Sequence, residues 1–215
     1  MNQPTDPWSD PQPKQSSSLG GLMVLMALAG AVLGWYVLRP LLNGGGGGVK
    51  PAINAETLAD LQLAPLTAGS TDLTLGETSG KVVLVNFWGT WCPPCRAEFP
   101  DVVALEEKYR DHDTVMIVPV SCGTSMREDV DELRTTTEAF LKQHDTQLPN
   151  YTDPGLVTRK AVNDAVGFRG YPTTVLLDGQ HRIREVWVGQ ASYEEMNGGI
   201  EALLNEQQGE AAQAN

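Results

Sequence analysis

Residues Lys81 to Trp88 (KVVLVNFW) form a nearly continuous apolar, β-branched run, the pattern of a strand buried on both faces. That run leads directly into Trp91-Cys92-Pro93-Pro94-Cys95. Two adjacent prolines suit the first turn of a helix, where their missing amides would be unpaired anyway. A buried strand must therefore hand over to a helix at the cysteines. This helix is expected to reach about Arg110, with a bend at Pro100.

The remaining pattern fills in around this junction. Leu61 to Leu66 and Asp72 to Leu75 read as short edge strands, Pro65 marking an edge position. Thr114 to Val120 is a second apolar run, and Ser121-Cys122-Gly123 ends it. Val130, Leu133, Phe140, Leu141 and His144 share one helical face, so residues 127 to 144 are expected to form an amphipathic helix. Leu156 to Asp164 is a shorter helix. Thr173 to Leu177 and Arg182 to Val188 flank Asp178-Gly179, a hairpin turn, and Tyr193, Met196, Ile200 and Leu203 mark a closing helix. Alternating strands and helices imply parallel pairing with right-handed crossovers, hence an α/β domain.

The chain has 215 residues, enough for one sizeable core once its polar head and an apolar segment are set aside. Its net charge of -12 excludes the basic stripe that phosphate binding requires, so no nucleic-acid partner is expected. Three cysteines are too few for a disulfide-stapled framework. Structural zinc needs four ligands, and His112, His144 and His181 stand scattered, so neither a metal nor another cofactor is expected.

Residues 1–18, rich in proline and serine, read as a disordered polar tail. Leu19 to Leu38 is uncharged, and twenty helical residues span about 30 Å, the thickness of a bilayer's hydrocarbon. A single-pass transmembrane anchor is expected there; a cleaved signal peptide is the competing reading, opposed by the length of the run and a leader with one cation, Lys14. Residues 39–57, with five successive glycines, form a linker, residues 58–205 the folded domain and 206–215 a disordered C-terminal tail.

A thiol attacks a disulfide as thiolate, which is favoured where the unpaired amides and positive end of a helix converge. Cys92 stands at that point as nucleophile. Cys95, one turn on, is the resolving thiol of a redox-active disulfide. Glu98 shares the face of Cys95; it either exchanges a proton with that thiol or serves the helix dipole. Trp88 reads as core, whereas Trp91 reads as the cap of an exposed apolar recognition patch. Cys122 follows a strand parallel to the one before the dithiol, so it could approach the same edge of the sheet. A small buried hydrophobe is its commoner role.

The run Val85-Asn86-Phe87-Trp88-Gly89-Thr90-Trp91-Cys92-Pro93-Pro94-Cys95-Arg96-Ala97-Glu98-Phe99-Pro100, with Gly170-Tyr171-Pro172-Thr173-Thr174, resembles the thioredoxin superfamily, and within it the membrane-anchored reductases of the TlpA/ResA type. The resemblance covers roughly residues 58 to 205 and implies a thioredoxin-like fold, a mixed central sheet flanked by helices, following the N-terminal transmembrane helix. It implies that Pro172 is cis and lies beside the dithiol, so that Tyr171 and Pro172, with Trp91, Pro93 and Pro94, form the surface for an extended substrate segment. It favours the proton role for Glu98. Asn86 stands where thioredoxin has a buried aspartate, and an amide cannot relay a proton by ionising.

By that resemblance the chain is a thiol–disulfide oxidoreductase that reduces disulfides of extracytoplasmic proteins, including apocytochrome c before haem attachment, on the periplasmic side of the membrane. Its electron donor is expected to be a dithiol relay within the membrane. A CxxC pair runs in either direction according to its potential and partner, so an oxidase or isomerase remains open; a peroxidase and a non-catalytic copper carrier are further alternatives.

Overall fold

A computed structural model describes residues 56–125 and 128–213. The expected tail 1–18, the expected anchor 19–38 and all but the last two residues of the expected linker lie outside the described residues. Among the described residues no helix is long and apolar enough to cross a membrane.

Seven strands form one mixed sheet in the order β2-β1-β5-β4-β3-β6-β7. They are β1 (Gln62–Pro65), β2 (Leu73–Thr74), β3 (Val82–Trp88), β4 (Val115–Ser121), β5 (Tyr151–Thr152), β6 (Thr173–Leu177) and β7 (Ile183–Val188). The helices are α1 (Leu75–Thr78), α2 (Pro93–Tyr109), α3 (Val130–Gln143), α4 (Val157–Val166) and α5 (Tyr193–Gln213). β3 pairs parallel with β4 and antiparallel with β6, which in turn pairs antiparallel with β7. This is the expected mixed sheet with flanking helices.

All seven residues of β3 are buried, as its apolar run requires, and strand alternation divides them between two cores. Val82, Leu84 and Trp88 pack with Phe99, Val102 and Leu105 of α2, Phe140 of α3 and Ile200 of α5. Val83, Val85 and Phe87 face the opposite core, which includes Ala161 and Val162 of α4. Asn86 falls by parity on the α2 face. A polar side chain is thus delivered into the first core directly beneath the start of α2.

Several local expectations need correction. α3 begins at Val130 rather than 127, because Asp129 caps it by accepting from the Asp131 and Glu132 amides; Val130 is itself exposed. α1 and β5 were not anticipated. Two-residue β5 forms because β1 and β4 supply partners on either side. The hairpin between β6 and β7 is a five-residue loop, not a two-residue turn at Asp178-Gly179. His181, not Gly179, takes the left-handed conformation, and the Asp178 carboxylate accepts from the Gln180 and Arg182 amides. Gly179 is needed for close approach: a Cβ there would lie 3.0 Å from the Gly80 backbone. α2 runs through Pro100 as one helix. α5 continues to Gln213, through most of the segment expected as a disordered tail, where Glu206 anchors it by an ion pair with Arg184 of β7.

The first described residues lie against this hairpin. Glu56 accepts the Ile183 amide, Thr57 bridges to Arg182, and the Leu58 amide donates to His181. The hairpin is at the C-terminal end of β6. Antiparallel pairing of β3 and β6 therefore sets the entry of the domain at the opposite end of the sheet from the C-terminus of β3, where the cysteines lie.

Candidate active site

Strand β3 ends at Trp88, and α2 begins four residues later with Cys92 as its N-cap and Pro93 and Pro94 in its first turn. The Cys92 and Cys95 sulfurs are joined in a disulfide, and the Cys95 amide donates to the Cys92 Sγ at 3.3 Å. In the dithiol form that sulfur position is occupied by the Cys92 thiolate, which the same amide and the helix dipole favour. Both cysteines are almost completely buried, whereas Pro93 and Pro94 are exposed.

One turn after Cys95, Glu98 projects inward and is 1% exposed. Its Oε1 accepts the Asn86 side-chain amide at 2.7 Å and the Thr174 hydroxyl at 3.5 Å; its Oε2 accepts the Ala191 backbone amide at 2.7 Å. Burial pushes its carboxyl up to about 7, against these hydrogen bonds, which favour the ionised form. Burial outweighs them, and the negative charge of Asp101 raises the carboxyl further. Such a carboxyl can hold or release a proton at neutral pH.

The Tyr171-Pro172 peptide bond is cis, and the Gly189 amide donates to the Pro172 carbonyl. Tyr171 meets Trp91 edge-on, with ring centroids 5.4 Å apart. Trp91 is 44% exposed and its Nε1 donates to the Cys122 carbonyl at 2.9 Å. The structure thus brings Trp91 and Tyr171 together at the dithiol. Trp88 is core, packed between Phe99 and Phe140 with its Nε1 donating to Asn150. Cys122 is fully buried, its thiol donates to the Val120 carbonyl, and burial pushes it up to about 12. That environment opposes thiolate formation and leaves Cys122 a packing role.

Sequence reasoning missed Thr174 and Ala191 as partners of Glu98. Ala191 contributes only a backbone amide, which no side-chain pattern reveals. Thr174 sits beside Asn86 on the neighbouring strand, where the Asn86 amide also donates to its hydroxyl at 2.8 Å. An inward Asn opposite a Thr on paired strands is the one signal that could have found it.

Comparison with known proteins agrees with this architecture. The Redoxin family matches residues 52–204. The thioredoxin-like protein YneN of Bacillus subtilis is 35% identical over 123 residues, 57% of this chain and 65% of the relative. The thiol-disulfide oxidoreductase ResA of Bacillus cereus is 30% identical over 131 residues, 61% of this chain and 68% of the relative. The chain thus spans about two thirds of the length of these curated relatives. Among solved structures, StoA from Bacillus subtilis superimposes with a TM-score of 0.53 at 22% identity, covering 67% of this chain and 98% of that one. A DsbF homologue from Corynebacterium diphtheriae gives 0.54 at 22%, covering 75% and 96%; both show the shared fold. The chain belongs to the Redoxin family, as a thioredoxin-like protein of the TlpA/ResA type.

Proposed function

We propose that this protein is a thiol–disulfide oxidoreductase that reduces disulfides in polypeptides outside the cytoplasm. The observation that carries the reading is the Cys92–Cys95 disulfide at the start of α2, set above a buried Glu98 whose carboxyl is pushed up to about 7. In the reducing direction the Cys92 thiolate attacks one sulfur of the substrate disulfide. A mixed disulfide forms and the other substrate sulfur leaves as a thiolate that takes up a proton. Ionised Glu98 accepts the Cys95 proton, and the Cys95 thiolate attacks Cys92 Sγ. The substrate departs with two thiols, and the protein is left with the Cys92–Cys95 disulfide. Two electrons from an external dithiol donor restore it; we assign that donor to the membrane.

Leu19 to Leu38 supports a membrane anchor in this reading, and the acidic domain behind it is assigned to the periplasmic side. Apocytochrome c is one substrate the reading accommodates, since its cysteines must be reduced before haem is attached. The reading is tested with Cys95→Ser, which removes the resolving thiol and should leave Cys92 joined to its substrate. Mass spectrometry of those adducts from intact cells should name extracytoplasmic cysteine proteins. Absence of any Cys92-linked partner would sink the reading.

A further inference from the structure

We infer that Arg159 is a positioning residue that makes the site selective for disulfides in extended polypeptides over small disulfides, by fixing Trp91 and Tyr171 as one wall beside Cys92. This rests on the reductase reading and adds to it a residue in α4, on the opposite face of the sheet from α2.

The Arg159 side chain is 8% exposed and its guanidinium reaches three ways. Nε donates to Asp153 Oδ2 at 3.1 Å, and the same carboxylate accepts the Thr158 and Arg159 amides, so Asp153 fixes both the start of α4 and the plane of the guanidinium. Nη1 donates to the Tyr171 hydroxyl at 2.9 Å. Nη2 forms an ion pair at 3.0 Å with Glu128 Oε1, without hydrogen-bond geometry, and that oxygen accepts the Gly123 amide at 2.9 Å. Gly123 adjoins Cys122, whose carbonyl holds the Trp91 indole, and the Trp91 ring returns to Tyr171.

The contacts therefore close a ring: Trp91 to the Cys122–Gly123 backbone, to Glu128, to Arg159, to Tyr171 and back to Trp91. Within this ring Trp91 and Tyr171 supply the aromatic surface beside Cys92. A rigid planar fork holds a phenol and one carboxylate in fixed directions while its charge pairs with a second carboxylate, which the flexible point charge of a lysine does not reproduce. An extended segment that pairs beside Pro172 must pass this aromatic wall, so it senses the wall's position. A small disulfide meeting Cys92 alone has little contact with it.

The test uses the full chain in detergent, reduced with dithiothreitol and then freed of it, in single-turnover reactions whose half-saturation and limiting rate serve as KM and kcat, with a short unstructured peptide closed by one disulfide and with 5,5′-dithiobis(2-nitrobenzoate). Removing Arg159 outright would bury two carboxylates without their cation, so the variants are Arg159→Lys and Tyr171→Phe, the second leaving the Arg159–carboxylate pairs intact. Loss of one charge-assisted hydrogen bond should raise KM for the peptide about tenfold in each, with kcat within about twofold, and the double variant should add little more. For Arg159→Lys the rate with the small disulfide should fall by no more than about twofold, a split that a merely structural role would not produce. An unchanged peptide KM in folded Arg159→Lys, equal losses for both substrates, or multiplying effects in the double variant would overturn the inference. If Arg159→Lys fails to fold, an unchanged peptide KM in Tyr171→Phe overturns it alone. Failure of the reductase reading would look different: the wild type would then reduce neither disulfide faster than Cys92→Ser.

Discussion

Glu98 owes its behaviour to a conflict between burial and hydrogen bonding. Its folded carboxyl titrates near 7 against an ordinary value of 4.5, so from pH 4.5 upward the unfolded chain ionises first and the folded chain binds the extra proton. Stability attributable to this group is therefore untouched below about pH 4.5, falls as pH rises to 7, and is lower by roughly 3 kcal/mol above that. Denaturant midpoints of Glu98→Gln should lack this part of the pH slope; an identical slope in both proteins would place the effect elsewhere. The same substitution should remove the limb near pH 7 from the pH–rate profile of disulfide reduction, because an amide cannot accept the Cys95 proton. An unchanged profile takes Glu98 off the proton path. The cysteines, Glu98, Trp91 and the Tyr171-Pro172 pair were legible in the sequence because each sits in a short local pattern or a family motif. What completes the site comes from distant segments: the amide of Ala191, the hydroxyl of Thr174 and the guanidinium of Arg159. Of these only Thr174 leaves a trace, through its place opposite Asn86 on the neighbouring strand.

The elements that read most clearly, β3 and α2, are dictated by residues within themselves, a buried apolar run and a pair of prolines. Those that did not read, α1 and β5, are short and depend on neighbours. α5 shows a finer version of the same contrast in two adjacent glycines. A Cβ at Gly198 meets nothing within 4 Å, whereas one at Gly199 would lie 2.9 Å from a Leu176 methyl and 3.4 Å from the Trp187 ring. Gly198→Ala should stabilise the protein by about 0.5–1 kcal/mol through helix propensity alone. Gly199→Ala gains the same propensity but forces α5 away from β6 and β7, costing about 1–3 kcal/mol and reversing the sign. Thermal unfolding of the two variants checks this. Equal shifts would mean that α5 does not seat as closely on the sheet as its contacts require.

At the scale of the whole molecule, Trp91, Cys92 and Tyr171 gather at one end of the sheet, and the Glu56, Thr57 and Arg182 contacts close the other. With the proposed anchor at residues 19–38, the full chain should sediment with membranes and be released by detergent but not by high salt. A membrane-impermeant maleimide should label Cys92 in intact reduced cells. Release by salt would remove the anchor from the reading, and protection of Cys92 until lysis would remove the periplasmic assignment. The entry of the domain beside the β6–β7 hairpin has a mechanical consequence. Seven residues of β3 extend about 23 Å, so chain arriving at Glu56 takes hold of the domain a full strand length from the dithiol. A hold at that end keeps residues 56–58 clear of the surface around Trp91, Cys92 and Tyr171.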